Sequence, residues 1–264
     1  MHTSEVPRRS FVKKYHIKGM IVIAILIVLF LYSLKICGVD PSLFVSNIAQ
    51  FGVLIGQMSN PDWSYFSFIW DPLVQTVQMA ILGTTIGTIF AIPAAFLAAR
   101  NLDHSKVVHG TSRFVLDIFR TLPSLLLAAI LVAIFGIGPT TGTITLAIFS
   151  FGMISKLFYE VLETVDMGPA EAMKASGASI IQIIRLAIIP QIAGQFCSFF
   201  LYTLEVNVRS STVLGYVGAG GLGLYLQQTI DEFNYSETAV VILATFATVL
   251  VIDILSNYLR RKLQ

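Results

Sequence analysis

The chain has 264 residues, 55% of them hydrophobic and only 12% charged, with a mean hydropathy of +0.79 and a formal net charge of +2. Soluble domains carry about 25% charged residues, so this composition excludes an ordinary water-soluble protein. The small positive balance gives no ground for a nucleic-acid partner, because the cations flank apolar runs.

Apolar runs of about twenty residues mark membrane spans. Six are predicted, at about 19–37, 73–99, 114–136, 140–160, 191–213 and 238–259. Arg8, Arg9, Lys13, Lys14 and Lys18 precede the first, Arg100, Lys106 and Arg113 lie between the second and third, and Arg260, Arg261 and Lys262 end the chain. The connections 38–72, 137–139 and 214–237 hold no Lys or Arg. Cytoplasmic loops carry the excess of basic residues, so both termini are expected in the cytoplasm, as an even number of spans requires. The first run is too long for a signal peptide and no A-x-A site follows. Lys35 and Ile36 beside Cys37 argue against a lipoprotein signal. The expected organisation is a cytoplasmic tail at 1–18, an anchor at 19–37, an extracytoplasmic segment at 38–72 and a core of five spans at 73–260.

Within 38–72, Phe44, Ile48, Phe51, Ile55 and Met58 recur at helical spacing, which predicts an amphipathic helix in the outer interface. Trp63, Tyr65, Phe66, Phe68 and Trp70 then suit the headgroup layer. Gly83 and Gly87 form a G-x-x-x-G pattern for close helix packing, and Pro93 and Pro123 should bend their spans. Cys37 and Cys197 fall at different depths, too far apart for a disulfide.

Between the fourth and fifth spans lies a polar stretch of about 161–190 with unusual punctuation. Gly168-Pro169 opens a short helix with Glu171 near its positive end. Gly177 can end that helix in the left-handed conformation, Ser179 and Gln182 form a capping-box pattern for a second, and Pro190 is expected to stop it. The result is a cytoplasmic helix–Gly–helix elbow suited to docking a partner.

Charges inside spans cost about 2.5–3.5 kcal/mol each on the insertion scale. Arg120 has Asp117 three residues earlier, and Arg209 has Glu205 four residues earlier, so each could be an intrahelical pair. Arg209 is expected near the outer end of the fifth span, beside Asn207, Ser210, Ser211 and Thr212. One fixed guanidinium among neutral hydrogen-bonding groups suits a tetrahedral oxyanion. Lys156 and Glu160, near the inner end of the fourth span, are expected to be snorkelling structural residues. Asp253 has no evident partner in the sequence.

Gly218-Ala219-Gly220-Gly221-Leu222-Gly223 satisfies G-x-G-x-x-G, but a dinucleotide site needs a strand–turn–helix unit. Here Gly218, Gly220, Gly221 and Gly223 are expected to form a tight outer turn closing a pathway. No phosphate-loop motif occurs, so a nucleotide would have to be handled by another polypeptide. His2, His16, His104 and His109 are scattered over tails and loops, which speaks against a membrane-embedded metalloenzyme.

The stretch DMGPAEAMKASGAS (166–179), with RTLPSLLLA (120–128) and LYTLEVNVRSSTVLGYVGAGGLG (201–223), resembles the phosphonate-type ABC-importer permeases over most of residues 73–260. It departs from their coupling-loop pattern at Met173 and Ala187. The resemblance implies an all-α integral membrane protein of the type I importer fold, with six transmembrane helices and no catalysis or cofactor of its own. Glu171, Ala172, Gly177 and Pro190 would shape the loop that engages an ATPase. It further implies a homodimer in the bacterial cytoplasmic membrane, two ATPase subunits holding ATP and Mg, and an extracytoplasmic binding protein delivering phosphonate or a related phosphorus oxyanion. Methionine-type permeases share the loop and a similar glycine run but not the segment around Arg209. An ion-coupled secondary transporter would be expected to show internal repeats, which are not evident.

Overall fold

The computed structural model describes residues 17–101 and 105–263. The expected tail with Arg8, Arg9, Lys13 and Lys14, and the histidines His2, His16 and His104, lie outside them. Every regular element among the described residues is helical. The chain divides into two compact units, Met1–Gly56 and Gln57–Gln264.

In the first unit, α1 spans Ile17–Ile36. Its residues from Met20 to Tyr32 are exposed and almost wholly apolar on all sides, which is the pattern of a helix solvated by lipid. The second helix, α2 (Pro41–Met58), follows the predicted amphipathic segment, and Asp40 accepts the Ser42 amide at 2.8 Å at its start.

The second unit opens with a 3-10 turn, Trp63–Tyr65, capped by Asp62. Hydrogen bonds from the Ser64 side chain and amide hold the Asp62 carboxyl below its ordinary range. α3 then runs from Phe66 to Ala98. The sequence places the start of this span at about residue 73. The helix instead carries Pro72 and Pro93 within it, so Phe66, Phe68 and Trp70 belong to α3 rather than to a preceding loop. α4 (Lys106–Thr121) and α5 (Ser124–Phe135) are joined at an 85° bend beside Pro123. α6 spans Pro139–Leu162, α7 Gly168–Ala175 and α8 Ile180–Ile183. A π-turn, Ile184–Ile188, leads into α9 (Ile189–Leu214). α10 (Leu222–Asp231) and α11 (Tyr235–Leu263) complete the chain. Among the described residues, five helical segments are long and apolar enough to cross a membrane, or six if the bent α4–α5 pair counts as one span.

Pro190 does not stop the helix as expected. The Ile189 amide reaches back five residues to the Ile184 carbonyl. That wider turn accommodates the amide missing at Pro190, and helix continues from α8 into α9.

The α3–α6 pair is the most extensive helix contact. Gly83 and Gly87 make it possible: a Cβ at either would come within 2.6 Å of atoms of α6. The G-x-x-x-G pattern is therefore spent inside the subunit. At one end of the bundle Ala91, Ala95 and Ala98 of α3 pack with Ile154, Phe158 and Leu162 of α6 and with Ile188 and Ile192. Phe158 and Phe196 stack there at 3.8 Å between centroids. At the other end Met79, Leu146, Leu214 and Ala219 form a second cluster. Hydroxyls such as Thr76, Thr84 and Thr145 donate to carbonyls one turn back on their own helices, which makes them compatible with an apolar interior.

Candidate translocation site and coupling loop

Asn207 of α9 is fully buried. Its Nδ2 donates to Thr84 Oγ1 of α3 at 2.7 Å and to Ser150 Oγ of α6 at 2.6 Å. These bonds fix α9 against the α3–α6 pair and give a measure of depth. Ser150 lies 11 residues from one end of α6 and 12 from the other, about 17 Å each way at 1.5 Å per residue. Glu205 and Arg209, each two residues from Asn207, therefore sit near the middle of the bundle. Arg209 lies five residues before the end of α9 at Leu214, as the sequence expects for the fifth span, yet close to the level of the α6 midpoint.

The five polar residues grouped around Arg209 in sequence separate in space. Asn207, Ser211 and Thr212 are buried, whereas Arg209 is exposed and Ser210 half-buried. Ser211 donates to the Val208 carbonyl on its own helix. Helical geometry turns residues 207, 211 and 212 toward the core and leaves Arg209 on another face. Replacing Asn207 by Ala should destabilise the protein by about 1–3 kcal/mol, since two buried hydroxyls lose a donor. A lowered melting temperature of the purified protein in detergent checks this.

Arg209 pairs with Glu205 as its spacing predicts. A second partner is unforeseen: Arg260 Nη2 of α11 lies 2.8 Å from the other Glu205 oxygen. The Glu205 side chain is only 9% exposed, against 25% for Arg260 and 53% for Arg209. Arg260 is thus not merely a basic flank of the last span; the length of its side chain carries the charge back into the bundle.

Asp117 and Arg120 behave otherwise. Among the described residues no ion pair joins them, and both are exposed. An i,i+3 pair contributes only about 0.2–0.5 kcal/mol, too little to hold two exposed side chains. The Arg120 backbone packs on Gly152, where a Cβ would lie 3.0 Å from the Arg120 nitrogen. Gly152 is two residues from Ser150, so Arg120 also stands at mid-depth. Lys156 and Glu160 form an i,i+4 pair at 3.3 Å.

The glycine run is a tight, buried turn. Gly218, Gly220 and Gly221 have φ of +82°, +80° and +73°. A Cβ on Gly223 would lie 1.8 Å from the Thr212 carbonyl oxygen, and one on Gly220 would lie 2.7 Å from the Pro139 nitrogen. The Gly221 and Leu222 amides bond to Gln75 and Thr76 of α3, and the Gly138 amide bonds to the Gly218 carbonyl. The turn therefore ties α9 to the first third of α3 and to the starts of α6 and α10.

At the opposite end, α7 and α8 make the predicted elbow. Gly177 has φ +81°; its amide bonds to the Lys174 carbonyl and the Ala178 amide to the Met173 carbonyl, the two bonds of a Schellman ending. Ser179 and Gln182 form a full capping box. Glu171, Ala172, Ile180 and Ile181 are exposed, whereas Ala170 is buried. Asp166 and Gln191 bond through side chain and backbone at 3.1–3.2 Å, closing the base of the loop. Beside it Arg113 donates to the Ala98 carbonyl, pairs with Glu163 and lies 4.4 Å from the Tyr159 ring centroid. Glu163 also accepts the Arg100 amide at 2.8 Å. This cluster brings together residues up to 63 positions apart and has no local sequence signal. Among the described residues no group of three His, Cys, Asp or Glu could hold a metal ion.

A bundle of five or six candidate spans among the described residues, with a short exposed elbow at one end and a glycine-built turn at the other, is that of a multi-pass integral membrane protein. Residues 87–264 match the family of binding-protein-dependent transport system inner membrane components, and the chain belongs to it. It is 36% identical over 222 residues to the phosphite transport system permease protein PtxC of Stutzerimonas stutzeri, covering 84% of this chain and 81% of that one. It is also 36% identical over 188 residues to the phosphate-import permease protein PhnE of Mycolicibacterium smegmatis, covering 71% of this chain and 35% of that one. Among solved structures, an inward-facing conformation of the MetNI methionine ABC transporter aligns with a TM-score of 0.68 at 21% identity, over 77% of this chain and 99% of that one. The chain is a multi-pass inner-membrane permease with the type I ABC-importer fold.

Proposed function

We propose that this chain is the permease subunit of an ATP-driven importer that passes phosphite, phosphonate or a related phosphorus oxyanion into the cytoplasm. The observation that carries the substrate class is the 36% identity to a phosphite permease across 84% of the chain. The methionine transporter supports the fold alone at its 21% identity. Arg209 and Arg120, both exposed and at mid-depth, suit such a ligand, because a dianion crossing an apolar bundle needs compensating charge. Glu171, Ala172 and Gly177 shape the elbow that engages the ATPase, and Pro190 lies at the start of α9, where the loop rejoins the bundle. ATP and Mg are bound by the ATPase, and a binding protein delivers the ligand to the opposite face. The Lys/Arg distribution puts both termini and the elbow in the cytoplasm, with Gly218, Gly220, Gly221 and Gly223 forming the outer closure. Two copies of the chain make the pathway, so that Arg209 occurs twice around a symmetry axis.

The test is uptake of isotopically labelled phosphite, methylphosphonate and phosphate by vesicles containing the permease, its ATPase and its binding protein. ATP-dependent accumulation of at least one is expected. Accumulation of none, with methionine or another solute taken up instead, would overturn the substrate assignment.

A further inference from the structure

Glu205 is held between two arginines that differ in kind. Its Oε1 meets Arg209, the more exposed of the two, from one turn away on the same helix. Its Oε2 meets Arg260 at 2.8 Å from a different helix. The Arg260 Nε is itself buried without a hydrogen-bond partner, and among the described residues the ion pair shown for this guanidinium is the one to Glu205. A carboxylate bridging two guanidiniums has the acceptor pattern a phosphorus oxyanion would present.

We infer that Arg260 is the fixed counter-ion of Glu205 and Arg209 the exchangeable one. Without ligand, the carboxylate occupies Arg209. An arriving oxyanion takes its place on Arg209, while Arg260 keeps Glu205 charged and in position. Were Arg209 its sole partner, releasing Arg209 would leave a buried carboxylate uncompensated, a heavily penalised state. Arg260 removes that penalty and so makes Arg209 available. It is a positioning residue that acts through Glu205 and need not touch the ligand. The inference rests on reading Arg209 as the ligand's contact.

The experiment compares Arg260→Gln, Arg260→Lys and Glu205→Gln/Arg260→Gln for phosphite uptake at matched membrane abundance, with basal ATPase activity measured in parallel. Arg260→Gln should lower uptake about 30-fold or more, as loss of one member of a buried charge pair does. Basal ATPase activity should stay within about twofold of wild type. Arg260→Lys should retain most uptake, and the double variant should recover to within about fivefold of wild type, because a neutral amide in place of the Glu205 carboxylate needs no counter-ion. Wild-type uptake in Arg260→Gln, or a double variant no better than the single, overturns the inference. Should Arg260→Gln fail to reach the membrane, the double variant decides: active transport supports the inference and absent transport refutes it. The ratio of variant to wild type tests Arg260 for whichever anion is carried, whereas the identity of that anion tests the substrate reading.

Discussion

Arg209→Gln is expected to lower uptake by about 30-fold or more while leaving membrane abundance and association with the ATPase unchanged. Removing one partner of a buried ion pair usually destabilises the fold, because the other charge is stranded. Here Glu205 keeps Arg260 at 2.8 Å, so the structural damage is limited and a transport defect stands out. Combining Arg209→Gln with Glu205→Gln should not restore uptake, since neutralising the carboxylate does not replace the cation proposed to meet the ligand. Uptake by the single and double variants at equal abundance is the measurement. Recovery in the double variant would mean that Arg209 only balances Glu205.

The second large effect is expected at Gly177. A Cβ there would meet nothing within 4 Å, so the constraint is the backbone at φ +81° rather than a neighbouring atom. Val at such a φ costs more than the roughly 1–2 kcal/mol that the left-handed region imposes on an ordinary residue. The elbow should relax out of the Schellman geometry, changing the direction in which Glu171, Ala172 and Ile180 are presented. Gly177→Val should then abolish coupled uptake and reduce co-purification of the ATPase, with insertion of the permease unaffected. Gly177→Asn should retain most activity, because Asn tolerates the left-handed region. Equal uptake by the Val and Asn variants would remove the elbow from the coupling mechanism.

Local chemistry made much of this protein legible in its sequence. The elbow followed from Gly168-Pro169, Gly177 and the Ser179–Gln182 box, each a backbone preference expressed within a few residues. The break at Pro123 and the turn at Gly218–Gly221 are of the same kind. Tertiary features were hidden. Asn207 meets Ser150 and Thr84 across 57 and 123 positions, and Arg260 meets Glu205 across 55. No spacing rule announces such pairs. α10 was also not foreseen, because the glycines before it read as turn and its support comes from burial of Leu222, Gly223 and Thr229. Spacing misled at Asp117 and Arg120, where a weak local attraction competes with solvation of two exposed groups.

The wider turn at Ile184–Ile188 joins the elbow to the helix that carries Arg209. It holds one residue more per hydrogen-bonded ring than the α-helix on either side. Each residue of an α-helix advances the chain by about 100° around its axis. One inserted or deleted residue in this five-residue stretch therefore acts as an angular setting. It can turn the elbow relative to the Glu205–Arg209 pair without altering a side chain at either place. Two permeases with identical coupling loops and identical polar sites could thus differ in how a push on one is felt at the other, through a change of length in a segment that contacts neither ligand nor nucleotide.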